Sequence, residues 1–332
     1  MLIVGDIGGT KTLLALIAPG GDPHMPVATR EYPSTAYPTL APIIRAFLTE
    51  TDLKDTGRTA THACLAVPGP VMAGKSHPTN LPWSLSEADL ARDLGLAHVL
   101  LLNDLQATAM AIPHLGPGDA ETLNPGVPDP AGPIAVIAPG TGLGEAFLIR
   151  AAGGPIACAT EGGHASFAPT NDREISLLRH LQHIHGAVSV ERVCSGPGIA
   201  NIYSFLRAEG EIPEAPAIAD AIADAQDPTP AIAQAGLAGD PLARAALDMF
   251  VAILGAEAGN LALKTLATGG VYLAGGIPRR LLALLRGLDF QAAFTRKGRL
   301  EDVLRAMPIH VILAPAALLG AAYHARATIG EV

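Results

Sequence analysis

The chain has 332 residues, of which 49% are hydrophobic and 16% are charged. This composition predicts a folded protein with one large domain or two of ordinary size, and it excludes wholesale disorder. The formal net charge of −9 provides no basic face for nucleic acid, so a DNA- or RNA-binding role is disfavoured.

The first feature along the chain is a glycine turn between two apolar runs, Leu2–Val4 and Leu13–Ile17. Adjacent glycines between strand-like runs predict a tight β-hairpin, because glycine reaches positive φ without steric cost. A turn without side chains at its tip lets backbone N–H groups approach an anion. Asp6, at the end of the first strand, is a candidate ligand for a hydrated Mg²⁺ beside that anion. An ordinary Gly-Gly hairpin is the alternative.

The next segments predict alternating strands and helices, which indicates α/β architecture. Ser86 is a candidate N-cap of the second helix, and Asn80 lies in a turn between prolines beside Trp83, the only tryptophan. The Gly/Pro-rich segment Gly116–Pro133 is predicted to be a surface connection and a domain boundary. The predicted elements before it are a helix over Thr39–Glu50, a strand over Ala63–Val67, a helix after Ser86, a strand over His98–Leu102 and a helix over Leu105–Ile112.

Asn103 and Asp104 follow a predicted strand and precede a predicted helix. Residues beyond the carboxyl end of a strand face the crevice where open α/β sheets bind ligands. Asp104 is therefore a candidate base that accepts the proton of a hydroxyl attacking a phosphate. The alternative is that Asp104 only caps the helix.

The hairpin device recurs at Ile134–Arg150, where an apolar strand enters a second Gly/Thr turn and another apolar strand leaves it. Neither copy matches the Walker A pattern, and neither leads directly into a helix as a Rossmann fingerprint does. Two such turns indicate two similar α/β halves, each offering a loop to a shared phosphate chain. The second turn contains Gly140, Thr141, Gly142 and Gly144.

Glu161 and His164 bracket two glycines, which lets a carboxylate and an imidazole converge on one small polar ligand. Such pairs suit sugars, whose adjacent hydroxyls both donate and accept hydrogen bonds. A metal site is disfavoured because His164 has no second His or Cys at ligand spacing, and an exposed loop is the remaining alternative. Glu191 lies on a predicted helical turn, where it is either a further ligand or a surface charge.

The C-terminal part is predicted to be mainly helical, and its longest helical run contains Glu257 and Lys264, which argues for a buried helix of a soluble protein. Three scattered cysteines and no recognisable signal peptide lead us to expect a reduced, cytoplasmic protein without a membrane span. The predicted elements are helices over Asn171–His185, Gly198–Ala208, Pro241–Leu266 and Ala316–Ala327, short helices within Pro213–Gly239, and strands over Gly270–Ala274 and Ile309–Leu313.

These motifs together resemble the bacterial glucokinase family, ATP-dependent hexose kinases of the hexokinase and actin-like superfamily. They keep the family order over nearly the whole chain, and the two that begin with glutamate are the most specific. The matching segments are Gly5–Thr10, Thr79–Trp83, Asn103–Ala107, Gly140–Gly144, Glu161–Pro169, Glu191–Gly198 and Leu273–Ile277.

The resemblance implies an actin-like ATPase (ribonuclease H-like) fold, with two α/β domains flanking a cleft. The small domain is expected to comprise residues 1–115 and 313–332, and the large domain residues 116–312. Closure of the domains around the sugar would exclude water, which competes as phosphoryl acceptor. The family also implies a homodimer.

The resemblance further implies a reaction, the transfer of the ATP γ-phosphate to the 6-hydroxyl of D-glucose, as in glycolysis. Asp104 would be the catalytic base, and Asp6 would lie near Mg²⁺, through water. The expected glucose ligands are Asn80, Asn103, Asp104, Glu161, His164 and Glu191. The expected nucleotide-binding residues are Asp6, Gly8, Gly9, Thr10, Lys11, Thr12, Gly140, Thr141, Gly142, Gly144, Gly275 and Gly276.

One departure concerns the first turn, where Lys11-Thr12-Leu13 follows Gly-Gly-Thr, although many family members carry Asn and Ala-Arg there. This version is more similar to the related repressor–kinase group, whose cysteine-rich zinc motif is absent from this chain. Lys11 either adds positive charge near phosphate or points to solvent. Two other functions remain open: a kinase for mannose, glucosamine or an N-acetylhexosamine, and a sugar-sensing regulator without catalysis.

Overall fold

The computed structural model describes residues 1–51, 59–78 and 80–330. Strands and helices alternate along most of it, as the sequence predicts for an α/β protein. The strands are β1 (Leu2–Ile7), β2 (Lys11–Ile17), β3 (Ala28–Pro33), β4 (His62–Val67), β5 (Val71–Met72), β6 (Lys75–Ser76), β7 (Leu85–Ser86), β8 (His98–Asn103), β9 (Ala120–Asn124), β10 (Ile134–Pro139), β11 (Leu143–Ala151), β12 (Gly154–Thr160), β13 (Gly270–Leu273) and β14 (Ile309–Ile312).

The helices become longer and more frequent after the second hairpin, again as predicted. They are α1 (Leu40–Glu50), α2 (Glu87–Leu94), α3 (Asp104–Ala111), α4 (Asp172–His185), α5 (Gly196–Glu209), α6 (Pro216–Ala223), α7 (Thr229–Leu237), α8 (Pro241–Thr265), α9 (Gly276–Arg280), α10 (Leu282–Leu285), α11 (Leu288–Thr295), α12 (Glu301–Ala306) and α13 (Ala316–Ile329). Ser86 caps α2 as predicted, because its hydroxyl accepts a hydrogen bond from the backbone N–H of Asp89.

The chain divides into two compact units. Unit 1 comprises Met1–Ala120, Ala146–Ala159 and Leu313–Val332, and unit 2 comprises Glu121–Glu145 and Thr160–Ile312. The sequence-based division places residues 116–312 as a whole in the large domain, whereas here Ala146–Ala159 belongs to the unit of the N-terminal strands.

Unit 1 is built on a five-stranded sheet with the order β3-β2-β1-β4-β8. Strands β1 to β3 run antiparallel, and β4 and β8 continue from β1 in parallel. Alternate residues of β1 enter two different hydrophobic clusters: Ile3 packs with residues of α1, and Leu2 packs with residues of α13. The centre of the sheet is therefore buried on both faces, which explains why the central strands β1 and β4 are almost entirely apolar.

The same strand pattern recurs in a six-stranded sheet with the order β12-β11-β10-β13-β14-β9. Strands β10, β13 and β14 are parallel, like β1, β4 and β8. Apart from the extra strand β9, the order of the second sheet matches that of the first. The structure thus confirms the prediction of two similar α/β halves.

Strand β9 corrects one prediction. The segment Gly116–Pro133 is expected from sequence to be only a connection, yet Ala120–Asn124 forms the edge strand beside β14. An edge strand needs a partner on one side only, so it does not require the long apolar run that identifies a central strand.

Helix α8 is long and apolar enough to cross a membrane, but 72% of its most apolar 18-residue stretch is buried inside the protein. It packs against α5, α7 and α11, with Phe250 and Leu254 completely buried. This packing identifies α8 as the core helix of a soluble protein, as its charged residues predict. All three cysteines, each at a described position, are free thiols.

Candidate active site

The first glycine turn joins β1 to β2 and is closed by a hydrogen bond of 2.8 Å from Gly8 N–H to the carbonyl of Lys11. Ser34 stabilises the turn through hydrogen bonds of its backbone and its side chain. Its backbone N–H donates to the Thr10 carbonyl, and its hydroxyl donates to the Gly8 carbonyl and lies 2.9 Å from the Thr12 hydroxyl. Thr12 is completely buried, so its side chain supports the turn from inside. Sequence reasoning missed Ser34, which carries no motif of its own.

Replacing Ser34 with alanine should lower the free energy of unfolding by about 1–3 kcal/mol, because the buried Thr12 hydroxyl loses its partner. The decrease would be measured by urea denaturation, and the dependence of the unfolding free energy on urea concentration should stay unchanged. Thr49→Ala is the control, since Thr49 lies on the exposed face of α1 and should change stability by less than about 0.5 kcal/mol. Equal effects of the two substitutions would contradict the bracing role.

Asn80 meets the same turn. A Cβ built on Gly9 would lie 2.9 Å from the Cβ of Asn80, so only glycine permits this close approach. The structure therefore brings Asn80, Gly8 and Gly9 together in unit 1, with the Asn80 side chain exposed. Thr79, the first residue of the predicted motif, lies outside the described residues.

Lys11 forms an ion pair of 2.7 Å with Glu31 on the neighbouring strand β3. Both side chains are more than half exposed, which limits the contribution of the pair to stability. Of the two roles considered for Lys11, this geometry favours the one in which its side chain points to solvent.

Asp6, Asn103 and Asp104 lie at the carboxyl ends of the parallel strands of the first sheet. Strands β1, β4 and β8 run in the same direction and end on the same side. Asn103 is the N-cap of α3: its side-chain oxygen accepts hydrogen bonds from Leu105 and Gln106 N–H, and its amide donates to the Gly69 carbonyl. Asp104 is the first residue of the helix. The alternative in which Asp104 only serves as the N-cap is therefore wrong, since Asn103 holds that position.

The residues around Asp6 fit a hydrated magnesium ion. Asp6 is a half-buried carboxylate near the end of β1, close in sequence to the Gly8–Thr10 turn, whose two glycines are partly exposed. Mg²⁺ is commonly held by one or two carboxylates together with water and substrate phosphates. Asp6 supplies the carboxylate of such a set.

In unit 2 the second glycine turn lies between β10 and β11, and Gly140 N–H donates to the Gly142 carbonyl at 2.8 Å. The first N–H group of α5, that of Gly196, donates to the Gly140 carbonyl. Gly275 follows β13 with φ of +90°, and a Cβ there would lie 3.0 Å from the Pro139 carbonyl oxygen. The predicted nucleotide-binding glycines of this unit, including Gly276, therefore lie together beside the end of β10.

Glu191 is fixed against the same turn. Its Oε2 accepts a hydrogen bond of 2.9 Å from Leu143 N–H, and a Cβ on Gly142 would lie 2.5 Å from that oxygen. The Ser195 hydroxyl donates to the Glu191 carbonyl. The carboxylate of Glu191 thus has a defined position, unlike that of a freely solvated surface residue.

Glu161 precedes a short helical turn, Gly162–His164, and His164 is its last residue. His164 Nε2 lies 4.0 Å from Glu161 Oε2. Both side chains are about two-thirds exposed, so they are accessible to a ligand. The turn is tied to the Glu191 segment by a hydrogen bond from Val190 N–H to the Ala165 carbonyl. The structure therefore places the segment with Glu161 and His164 beside the segment with Glu191 in unit 2.

Residues 3–328 match the family model described as glucokinase. The chain is 40% identical to the glucokinase of Nostoc punctiforme over 97% of this chain and 98% of that protein. Its fold is similar to the crystal structure of a glucokinase from an Antarctic psychrotroph, with a TM-score of 0.81 and 32% identity over 97% and 98% of the two chains. It is also similar to a ROK family glucokinase from Streptomyces griseus solved with glucose and AMPPNP, with a TM-score of 0.66 and 20% identity over 98% and 99%. These likenesses confirm the predicted actin-like ATPase fold, and the chain belongs to the glucokinase family.

Proposed function

We propose that this protein transfers the γ-phosphate of ATP to the 6-hydroxyl of D-glucose, giving glucose 6-phosphate and ADP. The family match supports the reaction, and one observation carries it at the level of residues. Glu161, His164 and Glu191 are held in one unit around a common turn system, where a small polar ligand meets two carboxylates and an imidazole.

Glucose is recognised by hydrogen bonds to its hydroxyl groups. Carboxylates accept hydrogen bonds, whereas a neutral imidazole both donates and accepts them. Glu161 and Glu191 can therefore accept from sugar hydroxyls, and His164 can donate to them or accept from them. Asn80 supplies an exposed amide in unit 1 for the same purpose. Asn103 contributes less directly, because its side-chain oxygen already caps α3 and its amide already donates to Gly69.

ATP is held by the glycine turns. Gly9 and Thr10 present backbone N–H groups to phosphate oxygens, while Gly8 closes the turn and buried Thr12 supports it. Lys11 is paired with Glu31 and is directed to solvent. In unit 2 the turn formed by Gly140, Thr141, Gly142 and Gly144 has the same role, and Gly275 and Gly276 face the adenosine end. Asp6 would hold a hydrated Mg²⁺ through water, and the ion would supply positive charge that neutralises the phosphates.

Asp104 accepts the proton of the 6-hydroxyl as that oxygen attacks the γ-phosphorus. The bond from the γ-phosphorus to the bridging oxygen of ADP breaks as the new bond to the sugar oxygen forms. Aspartate carboxylates ordinarily carry their charge at neutral pH, as a proton acceptor must. The protein acts as a cytoplasmic enzyme of glycolysis and forms a homodimer.

The reaction is tested by coupling glucose phosphorylation to glucose-6-phosphate dehydrogenase in the presence of ATP and Mg²⁺. Mannose, fructose, glucosamine and N-acetylglucosamine are compared through ADP release. We expect glucose-selective turnover that is lost when Mg²⁺ is chelated. Preferred turnover of another sugar would overturn the substrate, and glucose binding without any turnover would overturn the enzymatic function.

Replacing His164 with alanine should raise KM for glucose about 10- to 100-fold, because an exposed hydrogen-bonding partner of the sugar is lost. KM for ATP should change by less than about twofold, since His164 is not among the phosphate-binding residues. His183→Ala is the matched control, because His183 lies in the same unit and its ring bonds the Arg179 carbonyl within α4. A parallel rise of both KM values in His164→Ala would argue against a sugar contact.

A further inference from the structure

Glu145 is a buried acidic residue that packs against the turn containing Glu161 and His164. It lies in β11 with only 2% of its surface exposed. Its Oε2 occupies the space next to Gly162, where a Cβ would collide with it. Thr160 links the two backbones as well, because its hydroxyl donates to the Glu145 carbonyl and accepts from Gly162 N–H. The turn therefore rests on Glu145.

A second buried acid, Glu257 of α8, interacts electrostatically with Glu145. Glu257 is 5% exposed, and its Oε2 accepts a hydrogen bond from the Asn260 amide. In the part of the chain that the structure describes, the Oε1 atoms of Glu145 and Glu257 are both buried without a hydrogen-bond partner. Such groups are costly to bury in a charged form.

Besides Glu161 and His164 on the turn itself, the described groups that interact electrostatically with these acids include Lys264, Lys297 and Cys194. Lys264 Nζ lies 3.6 Å from Glu257 Oε1, but most of the Lys264 side chain is in solvent. Lys297 Nζ donates hydrogen bonds to Asn260 Oδ1 and the Ala256 carbonyl and interacts electrostatically with Glu257. Cys194 is completely buried beside both acids, and burial holds the pKa of its thiol well above the usual value.

Burial, followed by repulsion from Glu257, raises the pKa of Glu145 to about 7, and Lys264 opposes this shift. Two carboxylates that share a buried site cannot both ionise without a large cost. Glu145 is therefore protonated and neutral below about pH 7 and becomes charged above it.

We infer that the protonated carboxyl of Glu145 is a positioning group that holds the Glu161–His164 turn in its sugar-binding geometry. This inference rests on the proposed function of that turn in glucose binding. Neutral Glu145 packs against Gly162 without drawing water into the site. Ionised Glu145 must gain solvation and is repelled by Glu257, and because its Oε2 lies against Gly162, its adjustment displaces Gly162.

Displacement of Gly162 moves the backbone that aims Glu161 and His164, so it weakens sugar binding. KM for glucose is then expected to rise as the pH passes about 7, by about fivefold or more between about pH 6 and about pH 8.5. KM for ATP is expected to change less, because Glu161 and His164 are not among the proposed phosphate-binding residues. Glu145 acts through the turn and touches neither substrate.

The inference is tested by measuring KM for glucose and for ATP across this pH range in the wild type and in Glu145→Gln. Glutamine has nearly the shape of the protonated acid but does not ionise. We expect the ratio of the wild-type to the Glu145→Gln glucose KM to be near one at low pH and to rise above about pH 7.

Two further variants sharpen the test. Glu174→Gln alters another buried glutamate of unit 2, which bonds Thr170 and Asn171, and should leave the pH dependence unchanged. Glu257→Gln removes the repulsion, so the rise of the glucose KM should begin at lower pH, and this result does not require Glu145→Gln to fold. A constant ratio for Glu145→Gln, or an unshifted rise in Glu257→Gln, would overturn the inference. Absence of glucose turnover in the wild type at every pH would instead reject the proposed function.

Discussion

Replacing Asp104 with asparagine should lower kcat for glucose phosphorylation by about 10²–10⁴-fold, because the hydroxyl proton then has no acceptor when the oxygen attacks. Asparagine preserves the size of the side chain, and its oxygen can still accept the hydrogen bond of 2.8 Å that Leu105 N–H gives to Asp104. Helix α3 should therefore remain in place. Glucose affinity, measured by calorimetry, should change by much less than kcat.

The chain contains a matched control for this substitution. Asn171 and Asp172 begin α4 just as Asn103 and Asp104 begin α3, with asparagine as the N-cap and aspartate as the first helical residue. Asp172→Asn should cost at most about 1 kcal/mol of stability through the helix dipole and leave kcat unchanged. If Asp104→Asn retained near wild-type kcat, or if Asp172→Asn lost activity equally, the assignment of Asp104 as the base would be wrong.

The parts of the site that could be predicted from sequence depend on local chain geometry. A glycine turn between two apolar runs forms a hairpin whatever surrounds it, so the turns at Gly8 and Gly140 were predictable. The N-cap at Ser86 depends only on residues within one helical turn. The position of Asp104 beyond a buried strand likewise follows from the order of the elements along the chain.

The parts that could not be predicted depend on contacts between distant segments. Ser34 braces the Gly8 turn, but nothing near Ser34 in sequence indicates which loop it meets. From the sequence alone, the Lys11 side chain could point either to phosphate or to solvent. The ion pair with Glu31 on the adjacent strand favours solvent. The edge strand β9 is defined by its neighbour β14 and lacks an apolar pattern of its own.

The sequence around Glu145 contains a feature that the sequence-based predictions did not use. It is an acidic residue within the apolar run of β11, and Glu257 stands similarly within the apolar helix α8. Ionisable residues are rarely buried without a reason, so each of them alone is informative. Their pairing becomes visible only when the fold brings β11 and α8 together.

The second large effect is expected at Gly320, where α13 crosses α3 in unit 1. A Cβ at this position would overlap the backbone carbonyl of Ala107, so the two helices approach as closely as their backbones allow. Helix α13 also packs on β1 and β4, and α3 begins with Asp104. Gly320 therefore sets the distance between the C-terminal helix and the helix that carries the proposed base.

Replacing Gly320 with alanine should lower the free energy of unfolding by about 2 kcal/mol. Overpacking costs up to about 3 kcal/mol, and the better helix propensity of alanine offsets about 1 kcal/mol of this. Because the clash involves backbone atoms, relief requires a shift of α3 as a whole, so kcat should also fall at temperatures where the variant is fully folded. Urea denaturation and steady-state kinetics measure the two effects separately.

Gly153→Ala is the control in the same unit, because a methyl group at Gly153 would have open space around it and the φ of Gly153 is not positive. It should change stability by less than about 0.5 kcal/mol and leave kcat unaltered. Loss of stability in Gly320→Ala with an unchanged kcat would show that α3 tolerates the shift without displacing Asp104. Unchanged stability would mean that the two helices can separate at no cost, which contradicts the close packing of α13 on α3. Together, Asp104→Asn and Gly320→Ala distinguish the chemistry of Asp104 from the packing that positions it.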